Sequence, residues 1–205
     1  METPAAPHSP AADPATPETP VTPAPSGTPD SPDSPDSFGT PATPVTSVTV
    51  TVDSPDRMRE LGLALAARLR PGDLVMLTGE LGAGKTTLTR GVGEGLGVRG
   101  AVTSPTFVIA RVHPPLGAGP ALVHVDAYRL GGGLDEMEDL DLDVDLPRSV
   151  VVVEWGDGKV EELSDDRLHV LIDRATGDTS DDVRVVTLHG IGERWTAADL
   201  PALTG

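Results

Sequence analysis

From Ser47 onward the chain switches between two hydrophobic periods. Ser47 to Val52 alternates β-branched and polar positions, which predicts a first strand. Asp53-Ser54-Pro55-Asp56 carries the marks of a helix start: a capping side chain, an early Pro and an acid in the first turn. Leu61, Leu65 and Leu69 then recur every four residues, predicting an amphipathic helix to Arg70 that Pro71-Gly72 closes. Leu74 to Thr78 is a short, nearly continuous apolar run, the pattern of a strand buried on both faces. Helical spacing resumes at Thr86 through Leu88, Val92 and Leu96. Gly91, Gly93 and Gly95 each weaken that helix by roughly 1 kcal/mol relative to Ala, so it must depend on packing against the sheet. Further strands are predicted at Phe107 to His113, Ala121 to Asp126 and Ser149 to Trp155, with a closing pair at Arg167 to Asp173 and Val183 to His189. A short helix around Trp195 follows Gly192.

Between the Leu74 strand and the Thr86 helix lies Gly79-Glu80-Leu81-Gly82-Ala83-Gly84-Lys85-Thr86, followed by Thr87. In this G-x-x-x-x-G-K-[ST] pattern the glycines let successive backbone N–H groups converge on phosphate oxygens at a helix N-terminus, where the helix dipole already favours an anion. Lys85 would reach the β- and γ-phosphates, and the Thr86 hydroxyl would ligate Mg²⁺. The strand, loop and helix order is the context the pattern needs. The expected fold is α/β, a P-loop NTPase-like sandwich with a mostly parallel central sheet and an antiparallel pair near the C-terminus. A nucleoside triphosphate site also needs an acid at the end of a neighbouring strand. Two strands end suitably, one at Asp126 and the other at Glu154. Guanine-specific loops of this class use an Asn-Lys-x-Asp segment. This chain has no Asn, and neither of its lysines, Lys85 and Lys159, is followed by the required Asp, which favours ATP.

Composition changes the picture at the N-terminus. Residues 1–45 are mostly Pro, Thr, Ala, Ser and Asp and carry one aromatic, Phe38, too little apolar area to offset the entropy of ordering them. They are read as a disordered tail, ahead of an ATPase domain over 46–192 and a C-terminal extension over 193–205. The tail lacks the basic and apolar regions of a secretory signal and contains the acids that a mitochondrial presequence avoids. No segment has the apolar length of a membrane span. The chain contains no cysteine, which excludes disulfides, thiolate catalysis and Cys-ligated zinc. The expectation is a cytoplasmic protein without a membrane partner. The net charge is −17; the tail supplies six acids and no Lys or Arg, so the folded part stays near −11 and repels a phosphate backbone, and a protein partner is expected rather than direct tight binding to DNA or other nucleic acid.

Several motifs fall in one order: the phosphate loop, then Thr103-Ser104-Pro105-Thr106-Phe107, then His124-Val125-Asp126-Ala127-Tyr128-Arg129-Leu130, then Val153-Glu154-Trp155. This order, spanning roughly Val48 to Gly190, resembles the TsaE (formerly YjeE) family, small bacterial ATPases needed to make threonylcarbamoyladenosine in tRNA. The resemblance implies an ATPase that docks on a complex of TsaB and TsaD proteins, with tRNA engaged only through those partners. It also implies that Thr86 and Glu154 sit at Mg²⁺ and that Asp126 assists, either as an outer ligand of the metal or as a base that orients water. Lys85, Asp126 and Glu154 are thus the candidate catalytic residues, and Thr103, Ser104 and Thr106 a switch-like loop near the γ-phosphate. Asp157 and Arg184 are candidate nucleotide contacts with no motif of their own.

Two other classes compete. A small-molecule kinase would share the Gly79, Gly82, Gly84 spacing but would carry an Arg-rich lid, and no arginine cluster occurs between Gly131 and Pro147. The other is a noncatalytic nucleotide-dependent interaction module. Leu134 to Leu146 holds seven acids, with Asp141, Asp143 and Asp145 alternating as in a calcium loop. Leu146 stands where such a loop needs Gly, and Val152 where it needs a bidentate Glu, so the run is read as a solvated acidic surface. His113, His124, His169 and His189 lie in predicted strands without paired metal spacing and are assigned structural roles.

Overall fold

The structure is a computed structural model, and it describes residues 43–105, 109–129, 146–174, 182–196, 198 and 200–204. All belong to one unit of the chain, Pro41–Gly205. Thr106, Phe107 and the acidic run through Asp145 lie outside the described residues, as do residues 1–42.

Seven strands form one sheet: β1 (Val45–Val52), β2 (Leu74–Gly79), β3 (Ala110–His113), β4 (Ala121–Asp126), β5 (Ser149–Glu154), β6 (Arg167–Arg174) and β7 (Arg184–Ile191). Their order is β1-β7-β6-β2-β5-β4-β3. The four central strands, β6, β2, β5 and β4, run parallel. The closing pair, β6 and β7, is antiparallel as expected, and β1 extends it by pairing along its whole length with β7. On the other flank β3 forms an antiparallel edge with β4.

β5 explains the continuous apolar runs. All six of its residues are buried. Val150 and Val152 join a cluster on one sheet face with Leu65, Leu88, Leu122 and Trp195, and Val151 and Val153 join Leu74, Met76, Val123 and Val125 on the other. The first face is covered by α1 (Pro55–Ala66), α2 (Lys85–Leu96), the short α3 (Glu193–Thr196) and a turn of 3₁₀ helix at Pro201–Thr204.

Ser54 caps α1 by accepting a hydrogen bond from Arg57 N at 3.3 Å, with Pro55 in the first turn. The helix stops at Ala66, four residues before the expected end. There Arg68 N and Leu69 N bond the carbonyls three residues back, and Asp73 Oδ2 accepts from Arg70 N at 2.9 Å. Asp73 thereby draws the chain into a turn, while Leu69 remains in the core. The glycines of α2 serve close approach. A β-carbon at Gly91 would collide with the Arg59 carbonyl of α1, and one at Gly93 would stand 2.6 Å from Val102 Cγ2. The helix therefore packs on α1 as well as on the sheet.

Two predicted strands end differently. Of the run expected from Phe107 to His113, Ala110–His113 forms a strand and Ile109, at φ 62°, leaves the extended region; residues 107 and 108 lie outside the described residues. β5 ends at Glu154, because Trp155 also has φ 62°. Both departures lie beside the candidate site, where strained backbone is most often retained.

Candidate nucleotide-binding site

Parallel strands bring their carboxyl ends to one edge of the sheet, where α/β proteins hold their ligands. β2 ends at Gly79, and the register sets Leu77 beside Glu154 and Asp126 beside Glu154. The turn after Gly79 uses left-handed backbone at Gly82 (φ 78°) and Gly84 (φ 115°), a conformation that side chains resist. Gly84 is the N-cap of α2 and contributes no side-chain cap, so the backbone amides of the first turn stay free to meet an anion.

A cleft of about 580 Å³ opens here, lined by Leu81, Gly82, Gly84, Lys85, Thr86, Thr87, Ser104, Asp126, Tyr128, Glu154 and Trp155. Lys85 is buried, and its Nζ donates to Gly79 O at 2.6 Å and Glu80 O at 3.0 Å. The same Nζ stands 3.8 Å from the centre of the Trp155 ring, a cation–π contact that the left-handed turn at Trp155 makes possible. Burial lowers the Lys85 pKa from its ordinary value, and the charges of Glu154 and Asp126 oppose that shift. Tyr128 is exposed and tilts against Trp155 at 5.4 Å between ring centres. Lys159 Nζ donates to Ala127 O at 2.5 Å and ties the turn after Asp126 to the segment after Trp155.

Thr86 Oγ1 donates to Glu154 Oε1 at 2.9 Å, and His124 Nε2 meets the same oxygen at 2.9 Å. Asp126 Oδ1 accepts from Tyr128 N at 3.1 Å. The donor set is all oxygen, from one hydroxyl and two carboxylates, which is the chemistry Mg²⁺ prefers. With its hydrogen committed to Glu154, Thr86 Oγ1 keeps lone pairs for a cation. No group of three or more His, Asp or Glu side chains among the described residues could hold a metal by itself, so the remaining ligands of Mg²⁺ would be phosphate and water oxygens.

The other candidates distribute around this cleft. Ala83 is buried and, with Gly84 and Thr87, borders a smaller depression of about 60 Å³ that also includes Ser54, Met58 and Arg184. Arg184 therefore stands behind the phosphate loop. Thr103 lines a separate groove and accepts a hydrogen bond from Arg111 Nη1 at 2.6 Å. Asp157 is exposed and does not line the cleft, and Thr106 lies outside the described residues. Sequence reasoning missed His124. Its signal was available in the register: His124 pairs with Val152, so on the shared face it is the diagonal neighbour of Glu154.

Sheet order and phosphate-loop geometry together define a protein of P-loop NTPase-like α/β fold. A family model described as "Threonylcarbamoyl adenosine biosynthesis protein TsaE" matches residues 52–183. The protein named tRNA threonylcarbamoyladenosine biosynthesis protein TsaE from Streptomyces coelicolor is 77% identical over 148 residues, covering 72% of this chain and 100% of the relative. The protein of the same name from Bacillus subtilis is 41% identical over 143 residues, covering 69% of this chain and 85% of the relative. The crystal structure of Bacillus subtilis YdiB superposes with a TM-score of 0.59 at 33% identity, covering 74% of this chain and 90% of that one. The chain belongs to the TsaE family.

Proposed function

We propose that this protein binds Mg²⁺-ATP in the cleft between the phosphate loop and Glu154 and hydrolyses it in support of tRNA threonylcarbamoyladenosine biosynthesis, acting on a TsaB–TsaD-type complex. The observation that carries the reading is the convergence of Lys85, Thr86, Asp126 and Glu154 on one cleft from three parallel strand ends. The names of the relatives supply the pathway.

In this reading the amides of Gly82 to Thr87 and the Lys85 ammonium hold the β- and γ-phosphates. Bound Mg²⁺ supplies charge neutralisation at those phosphates. Thr86, with Glu154 behind it and Asp126 at the adjoining strand end, presents the oxygen ligands. One of the two carboxylates orients a water whose oxygen attacks the γ-phosphorus. The bond from that phosphorus to the β–γ bridging oxygen breaks, ADP leaves, and the proton of the water passes to the released phosphate or to solvent.

Phosphate release is measured on the full chain with Mg²⁺-ATP, alone and with purified TsaB and TsaD proteins. Turnover that rises with the partners supports the proposal. Transfer of the γ-phosphate to a metabolite would point to a kinase, and nucleotide binding without turnover under either condition to an interaction module.

Of the described residues, none forms a helix long and apolar enough to cross a membrane. The acidity of the chain makes tRNA an indirect partner, reached through the protein complex.

A further inference from the structure

His124 is fully buried in β4, in a strand whose neighbours are Val123 and Val125. A leucine there would fill the same space without polar cost. The imidazole instead leaves its Nδ1 with no hydrogen-bond partner among the described residues, so its burial carries a desolvation cost. The one hydrogen bond it makes among the described residues is from Nε2 to Glu154 Oε1 at 2.9 Å. An ionised carboxylate can only accept, so Nε2 is the nitrogen that donates.

Among the described residues two donors reach Glu154, His124 Nε2 and Thr86 Oγ1, and they converge on the same oxygen, Oε1. One comes from the adjoining strand and the other from the first turn of α2. Two donors from different elements fix the plane of the carboxylate as well as its position. They leave Oε2 as the oxygen that Glu154 offers to the cleft it lines. They also hold the Thr86 hydroxyl hydrogen away from the cation side.

We propose that His124 is a positioning residue for turnover: its Nε2–H clamps Glu154 Oε1 against Thr86 so that the second carboxylate oxygen is presented to the reacting γ-phosphate and its water. The proposal rests on the ATPase reading. It predicts a loss in kcat without an equal loss in nucleotide affinity, because among the described residues no hydrogen bond joins His124 to Lys85 or to the loop amides assigned to the phosphates. Residues that orient a metal-site ligand typically contribute 10- to 100-fold in activity.

The experiment compares the full-length wild-type chain with His124→Phe, which fills the space without a donor, and His124→Gln, whose amide nitrogen can reach the place of Nε2. Calorimetry with Mg²⁺-ATP gives Kd, phosphate release with the partner proteins gives kcat, and thermal melting checks the fold. The expected result is a loss of about 10- to 100-fold in kcat for His124→Phe, with Kd within about threefold, and recovery of most of that loss in His124→Gln. Wild-type kcat in His124→Phe would overturn the proposal. So would a matching loss of affinity, or a His124→Gln variant that melts like wild type and turns over no better than His124→Phe. Should His124→Phe not fold, His124→Gln alone decides, since a folded variant without turnover contradicts a transferable donor. If the wild-type chain itself shows no turnover, the ATPase reading fails separately. The clamp is then judged by nitrogen-15 spectra of the imidazole: a proton on Nε2 that is perturbed by Glu154→Gln supports it, and a proton on Nδ1 with none on Nε2 overturns it.

Discussion

Replacing Arg194 by Met is expected to destabilise the domain severely while leaving the nucleotide site intact. Arg194 grips Asp73 with two parallel bonds, Nε to Oδ1 at 3.0 Å and Nη2 to Oδ2 at 2.8 Å, and its Nη2 also donates to Arg68 O at 2.6 Å. The Arg194 side chain is 10% exposed and that of Asp73 4%, so this pair is scarcely screened by solvent. Without the guanidinium, the Asp73 carboxylate keeps Arg70 N as its donor but loses its countercharge. Breaking a buried pair from one side costs about 3–5 kcal/mol, because the abandoned charge stays desolvated. For a domain of this size each kcal/mol moves the melting temperature by about 2–4 °C, so a fall of roughly 6–20 °C is expected. Urea titration followed by circular dichroism measures the loss directly. The double variant Asp73→Asn with Arg194→Met removes the stranded charge and should recover more than half of it. Asp73 precedes β2 at the end remote from the Gly79 loop, so Kd for Mg²⁺-ATP should not move. A loss below about 1 kcal/mol would mean that the pair behaves like a solvated surface pair. A double variant no more stable than the single one would show that uncompensated charge is not the cause.

Lys85→Ala is expected to abolish Mg²⁺-ATP binding in calorimetry, whereas Glu154→Ala should leave binding largely intact and remove turnover; unchanged phosphate release in the Glu154 variant would assign the chemistry to another acid. Gly91→Ala should lower stability by about 1–3 kcal/mol in urea titration, because its β-carbon meets the Arg59 carbonyl and that clash exceeds the gain in helix propensity. Burial depresses the Lys85 pKa in the folded state, so the unfolded chain binds more protons as pH approaches the ordinary lysine range, and stability should rise there relative to Lys85→Met. A stability difference between those two proteins that does not change up to about pH 10.5 would contradict this assignment. Trp195 is fully buried and Trp155 lies on Lys85, so a Trp195→Phe chain retains one tryptophan whose emission should change when Mg²⁺-ATP draws the lysine to its phosphates.

The elements that build the cleft were legible because local pattern and tertiary role coincide in them. β4 and the end of β2 follow from apolar runs bounded by turn signals, and the phosphate loop from glycines whose left-handed backbone the structure requires at 82 and 84. What pattern missed was set by specific contacts, one near in sequence and others far. The early end of α1 depends on Asp73, and β1 as an edge strand depends on β7, which follows it by more than a hundred residues. The left-handed turns at Ile109 and Trp155 carry no glycine to announce them. Pattern gives His124 a structural role because it lies in a predicted strand without paired metal spacing; its contact with Glu154 exists only through the register of β4 on β5.

That register also bears on the cation. A triphosphate entering the cleft would meet two carboxylates, Asp126 and Glu154, against one ammonium, Lys85. The N-terminus of α2 adds roughly half a positive charge, and the loop amides add directed donors, but neither balances a nucleotide carrying three to four negative charges beside two acids. Tyr128 N and the two donors on Glu154 Oε1 satisfy part of each carboxylate without neutralising it. Under the proposed function a divalent cation would close the deficit and turn both acids from repulsive neighbours into ligands or orienting groups. The loop pattern alone would account for an affinity for phosphate; in the proposed function it is the acids at the ends of β4 and β5 that would make magnesium a requirement.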